Sequence, residues 1–143
     1  MPVFEQIASR GQIVPFLFSQ DAVAANQTDV QLYVVEVASA AALAVDGITM
    51  PWAGSIVGIS ADLSAAATAG QLTVGATING TESATTRQTI TTATAARAVF
   101  QADAVRFVAG DKIGAEITTN GTWDGTSADL AVFVYVLLDC QQV

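Results

Sequence analysis

Histidine is absent from this 143-residue chain, and with it the commonest general base and metal ligand. Ser-His-Asp and Cys-His nucleophile arrangements are thereby excluded. Cysteine occurs once, at Cys140, so no intrachain disulfide can form and a zinc site of the usual Cys/His kind is ruled out. Cys140 is left as a free thiol or an intermolecular bridge. Cations are scarce: Arg10, Arg87, Arg97, Arg106 and Lys112 are all there are, scattered through a chain of net charge −8. Binding a phosphate backbone requires a clustered basic patch, so no nucleic-acid partner is expected. Charged residues of both signs make up only 13% of the chain, about half the usual share. No apolar run approaches the ~20 residues of a membrane-spanning helix, and "MPVFEQIASRGQ" lacks the basic-then-apolar order of a signal peptide. No membrane partner is expected.

What is present is apolar and β-forming. Hydrophobic residues reach 52% and mean hydropathy is +0.49. A water-soluble chain this apolar is expected to hide surface in an oligomer. In "GQLTVGATINGT", Leu72, Val74, Ala76 and Ile78 alternate with Gln71, Thr73, Gly75 and Thr77, the period of a half-buried strand. Asn79-Gly80 then accepts positive φ and turns the chain back. "VQLYVVEV" (30–37), "SIVGISAD" with a bulge or close approach at Gly58, and "KIGAEITT" read as further strands. "ASAAALAVDG" carries the only helical propensity; one helical turn or an extended crossing both fit. The threonine-rich stretch 81–98 suits exposed strands.

The last strand, "LAVFVYVLL" (130–138), is apolar at all nine positions. Leu130, Val132, Val134, Val136 and Leu138 share one face and fill a core. Ala131, Phe133, Tyr135 and Leu137 share the other, which must meet another sheet, an arm or another subunit. Phe133, Tyr135 and Leu137 are therefore the expected oligomer interface. Short strands with Gly/Asn/Asp turns between them predict an all-β, antiparallel sandwich of jelly-roll type, with the last strand at an oligomer axis. The division expected is an N-terminal arm or edge strand over 1–29 and a sandwich domain over 30–143. Within the first, Pro15 interrupts the apolar run Ile13, Val14, Phe16 and Phe18, leaving open an arm that packs beyond the subunit or an ordinary edge strand.

Sites for chemistry are few. Asp62, Glu82, Asp103, Asp111, Glu116, Asp124 and Asp129 fall mainly at strand ends and turns, where local hydrogen bonding accounts for them. "NGTWDGTSAD" does not follow the calcium-loop spacing, and no phosphate-loop or dinucleotide fingerprint occurs. No enzyme activity, metal or cofactor is expected. Trp52 and Trp123 stand beside turn signals; either can anchor a contact or plug an end of the sandwich.

"MPWAGSIVGISADLSAAATAGQLTVGATINGT" followed by "VRFVAGDKIGAEITTNGTWDGTSADLAVFVYVLL" resembles the decoration, or head-fibre, proteins of tailed bacteriophages over roughly residues 47–138. The likeness lies in the order of its parts: Pro51 and Gly54 leading into a strand, an alanine-rich link, Thr68 to Val74, the Asn79-Gly80 turn, the Val108 to Asp111 turn and an apolar final strand. The Ala-Gly-Asp turn and last strand are also similar to the trimeric jelly rolls of the C1q and tumour-necrosis-factor type. The resemblance implies a homotrimer on the outside of a virion, binding the major capsid protein and bridging capsomers without chemistry. In that reading Ile13, Val14, Pro15, Phe16 and Phe18 form the capsid-binding arm, and Trp52 and Trp123 are surface contacts. The alternative is a trimeric receptor- or carbohydrate-binding tip of a phage fibre, which the two tryptophans keep open.

Overall fold

Runs of alternating or wholly apolar residues, each closed by a turn signal, become eleven strands in the computed structural model, which describes residues 12–34 and 45–139. They are β1 (Gln12–Gln20), β2 (Val30–Gln31), β3 (Ile48–Thr49), β4 (Gly54–Leu63), β5 (Leu72–Ile78), β6 (Thr81–Glu82), β7 (Gln88–Ile90), β8 (Ala95–Val99), β9 (Arg106–Phe107), β10 (Lys112–Thr119) and β11 (Leu130–Leu138). A single 3-10 turn, Ala84–Thr86, separates β6 from β7. The threonine-rich stretch is thus not one exposed strand but several short pieces. Thr86 breaks it: its buried hydroxyl donates to Ser83 O and accepts from the Ala76 N–H, both at 2.8 Å. The alanine-rich segment 38–44, residues 35–37 of the expected second strand, residues 1–11 and Cys140 lie outside the described residues.

All pairings are antiparallel and form two sheets. Sheet A runs β1-β11-β4-β8, with β9 continuing β8 along the same edge of β4. Sheet B runs β2-β10-β5-β6, with β3 beside β10 and β7 beside β5. Taking β2 with β3, β6 with β7 and β8 with β9 as interrupted single strands leaves eight, ordered 1-8-3-6 against 2-7-4-5. That order is a jelly roll: two Greek keys folded face to face.

The core lies between the sheets. Leu130, Val132, Val134, Val136 and Leu138 of β11 meet Leu72, Val74, Ala76, Ile113, Ala115 and Ile117 of sheet B, all at most 7% exposed. β11 occupies an inner position in sheet A, with β1 on one side and β4 on the other. Its match to β4 slips once: Tyr135 opposes Gly58 and Val136 opposes Ile56, leaving Val57 as the bulged residue.

β1 settles how a proline sits in the first run. Gln12–Gln20 pairs with β11 along its whole length. Ser19 exchanges both main-chain bonds with Tyr33, at 2.8 and 3.1 Å. Odd-numbered residues of β1 therefore turn their main-chain groups away from β11, and even-numbered ones toward it. Pro15 is odd, so its missing N–H removes no ladder bond and interrupts the open edge instead, which blunts strand addition there. Phe18 is fully buried, and Val14 and Phe16 pack against the core. The assignment of Val14, Phe16 and Phe18 to an arm reaching beyond the sandwich is accordingly corrected: these side chains fill the subunit's own core.

Phe18→Ala should cost about 3–5 kcal/mol of stability, the usual figure for truncating a buried aromatic. Urea denaturation checks this; an unchanged midpoint would restore the arm.

Candidate functional site

Directly opposed residues in an antiparallel sheet share a face, so the registers fix what sheet A shows outward. Four rows cross it from β1 to the β8–β9 edge. They read Leu17–Phe133–Ser60–Arg97, Pro15–Tyr135–Gly58–Val99, Ile13–Leu137–Ser55–Arg106 and, at the polar end, Ser19–Ala131–Asp62–Ala95. Phe133, Tyr135 and Leu137 are half-buried, Ile13 is 59% exposed, Leu17 45% and Val99 89%. The Phe133 and Tyr135 rings lie 6.2 Å apart, tilted, along this surface. β11 is therefore dry on its inner face only, and among the described residues no element covers its aromatic face.

The surface is uneven. Its β1–β11 half carries bulky side chains, whereas β4 contributes glycine and serine. Gly58 and Ser60 floor a shallow depression of about 480 Å³, walled by Tyr135 on one side and by Arg97, Val99 and Phe100 on the other. The third row is closed by the loop after β8: Ser55 is buried, accepting from the Asp103 N–H at 3.1 Å.

The outer face of sheet B is of the opposite kind. Glu116, 6% exposed, accepts from Gln31 Nε2 at 2.7 Å, and Thr77 donates to Gln31 Oε1 at 3.3 Å. Gly75 leaves the space into which the Glu82 carboxylate folds, where Arg87 Nε donates to both of its oxygens at 3.0 Å. Asp29 accepts from Thr118 Oγ1 at 3.2 Å, and Lys112 Nζ meets Asp46 at 2.5 Å. Polar groups here satisfy one another within the chain, so this face has no need of a partner.

The two tryptophans divide. Trp52 is 51% exposed, beside the β3–β4 turn. Trp123 is 3% exposed and donates from Nε1 to Val23 O at 3.0 Å, which corrects its assignment as a surface contact. Gly70, at φ +89°, and Gly125 make room for it: a Cβ on either would collide with Trp123. Its neighbour Asp124 locks the same end of the sandwich, accepting from the Thr68 and Ala69 N–H groups at 2.9 and 3.0 Å.

Among the described residues no group of three or more His, Cys, Asp or Glu is placed to hold a metal ion. Neither a family model nor a curated protein matches the chain. The face of sheet A gathers Phe133, Tyr135 and Leu137, as the pattern of β11 suggested, with Ile13, which the sequence placed in the arm, and adds Leu17, Val57 and Val99, which no sequence signal singled out. Their common face depends on register and on the bulge at Val57, neither of which a single strand's pattern contains.

Two carboxylates give pH tests of opposite sign. Asp111 accepts from the Val108 N–H at 2.9 Å and from Asn79 Nδ2 at 2.8 Å, which holds it below the usual aspartate value. Its contribution is complete above the unfolded-state value and lost as pH falls through the lower folded one. Exchange of the Val108 amide should accelerate over that acid range, and Asp111→Asn should remove the pH step. Burial, partly offset by Gln31, pushes Glu116 up, so its cost to stability appears as pH rises above the ordinary carboxylate range. Glu116→Gln should raise the denaturation midpoint at neutral pH and leave it unchanged in acid.

Proposed function

We propose that this protein is a structural subunit that associates with copies of itself through the outer face of sheet A, as a homotrimer. In this reading the trimer decorates the outside of a bacteriophage capsid, bridging neighbouring capsomers without catalysis. The observation that carries the reading is the apolar outer face of β11 and β1, which no described element covers, opposite a sheet whose outer face is polar and self-satisfied. Large apolar patches on soluble chains mark interaction sites, and closed cyclic assemblies are the commonest way to cover one. The jelly-roll order of the strands agrees with the resemblance in "PWAG", "TAGQLTV", "ING" and "VAGD" to phage decoration proteins. Fold alone does not give function, so the capsid role rests on that resemblance. A net charge of −8 suits an outer surface that must keep particles apart.

The second reading, a receptor- or glycan-binding fibre tip, is favoured by one observation: Trp52 stands half-exposed beside a turn, free to stack on a ligand.

Titrating the protein onto empty capsids and following their thermal disruption tests the role. Saturable binding with a raised disruption temperature is expected, because a ligand of the assembled shell stabilises it by mass action. Binding should weaken little with salt, since Arg87, Arg106 and Lys112 are already paired within the chain. Attachment to host cells or glycans without capsid binding would establish the fibre-tip reading instead.

A further inference from the structure

A strand that ends a sheet leaves main-chain groups without partners and so offers a template for further pairing. Three edges of this sandwich are blunted. On β1, Pro15 removes a donor from the open side, and Ser19 is already bonded to Tyr33. Sheet B ends on one side in β2 and β3, of two residues each, and on the other in β6 and β7, parted by the 3-10 turn. The fourth edge carries β8, five residues long, without proline and in unbroken register with β4.

Main-chain bonds at the two ends of β8 fix which way it faces. The Leu63 N–H donates to Thr94 O at 2.7 Å, and the Phe100 N–H to Val57 O at 2.9 Å. Even-numbered residues therefore bond to β4, and Ala95, Arg97 and Val99 turn their N–H and C=O groups away from it. Among the described residues no strand lies beyond them. All three are exposed, Val99 by 89%.

The side chains select what can pair there. Among the described cations, Arg87, Arg106 and Lys112 each meet a carboxylate, and Arg97 does not. Two copies of β8, paired antiparallel in the register that uses all three open residues, would set Ala95 against Val99 and Arg97 against Arg97. Like charges directly opposite are destabilising, so Arg97 disfavours a second copy at this edge and favours a carboxylate. Asp62 lies opposite Ala95 on β4, which places that carboxylate beside Arg97 rather than beside Ala95. Val99 suits an apolar neighbour.

We propose that β8 is a strand-addition site, at which an extended segment of a partner protein extends sheet A by pairing with Ala95, Arg97 and Val99. The segment carries a carboxylate opposite Arg97 and an apolar side chain opposite Val99. Its main chain supplies affinity, and the alternate side chains supply selectivity. The site is an edge, so it stands apart from the outer face through which copies are proposed to associate.

The probe is a short acetylated and amidated peptide with glutamate at its centre, valine at the next-but-one position on each side and threonine elsewhere. Amide hydrogen exchange of the full-length chain, read by NMR, reports on the edge, with Ile13 and Leu17 on the open side of β1 as internal controls. Saturating peptide is expected to slow the Ala95, Arg97 and Val99 amides about tenfold and to leave Ile13 and Leu17 unchanged. N-methylation of the peptide amides that face β8 should abolish the protection. Lysine in place of the glutamate should weaken binding about fivefold, the order of one cross-strand charge pair, and Arg97→Glu should reverse that preference. Unchanged exchange at all three amides, or binding that survives N-methylation, would overturn strand addition. Equal binding of the glutamate and lysine peptides would overturn the selection by Arg97. Protection of the same amides in the protein alone, deepening with concentration, would give the edge to a second copy and overturn the acidic partner.

Discussion

One strand constrains everything around it. β11 is apolar at all nine positions and lies inside sheet A, so both of its edges and both of its faces must be accounted for. β1 and β4 take the edges, and sheet B takes one face. The arrangement of β1 follows from this. A proline-bearing run can flank β11 because Pro15 faces the open edge, and its even-numbered residues then supply Val14, Phe16 and Phe18 to the core. The bulge at Val57 follows as well, since it lets Gly58 lie under the Tyr135 ring while Ile56 and Ile59 keep their inward positions. What β11 leaves over is its aromatic face.

The far side of the molecule shows what a face without that problem looks like. In sheet B, Gly75 and Gly114 stand where a side chain would clash with Glu82 and Thr77 respectively. Glutamate, arginine, threonine and glutamine lie over the sheet and bond to one another. Burying a charge is tolerable only with such partners. The two outer faces of one sandwich therefore differ: polar groups close one, and no described element closes the other. In the proposed assembly this polarity would turn sheet A inward and sheet B outward.

Much of this was legible in the residues. Period-two alternation placed β5 and β10, the Asn79-Gly80 turn adopts φ of 53° and 78° as its composition required, and the chemistry of β11 announced a core strand with a second apolar face. Other features depend on contacts distant in sequence. Trp123 and Trp52 sit in similar turn contexts, yet Val23, a hundred positions away, accepts from Trp123 and buries it, while nothing covers Trp52. The run around Pro15 fitted an arm as well as an edge strand until its register with β11 was known. The depression on sheet A combines one bulge with three strand registers, and no local pattern encodes that combination. Of the turn-borne aspartates, Asp111 binds the main chain of its own turn as local hydrogen bonding required, whereas Asp124 binds Thr68 and Ala69, 56 and 55 positions away, which its turn context did not reveal.

The central claim is that copies of this chain cover the outer face of sheet A. Hydroxyl-radical footprinting over a dilution series examines that face directly, with Trp52 as an exposed reference on the same chain. The account predicts that Leu17, Phe133 and Tyr135 are shielded at high concentration and become labelled as the assembly dissociates, while labelling of Trp52 stays constant. Equal labelling of all four residues at every concentration would contradict it.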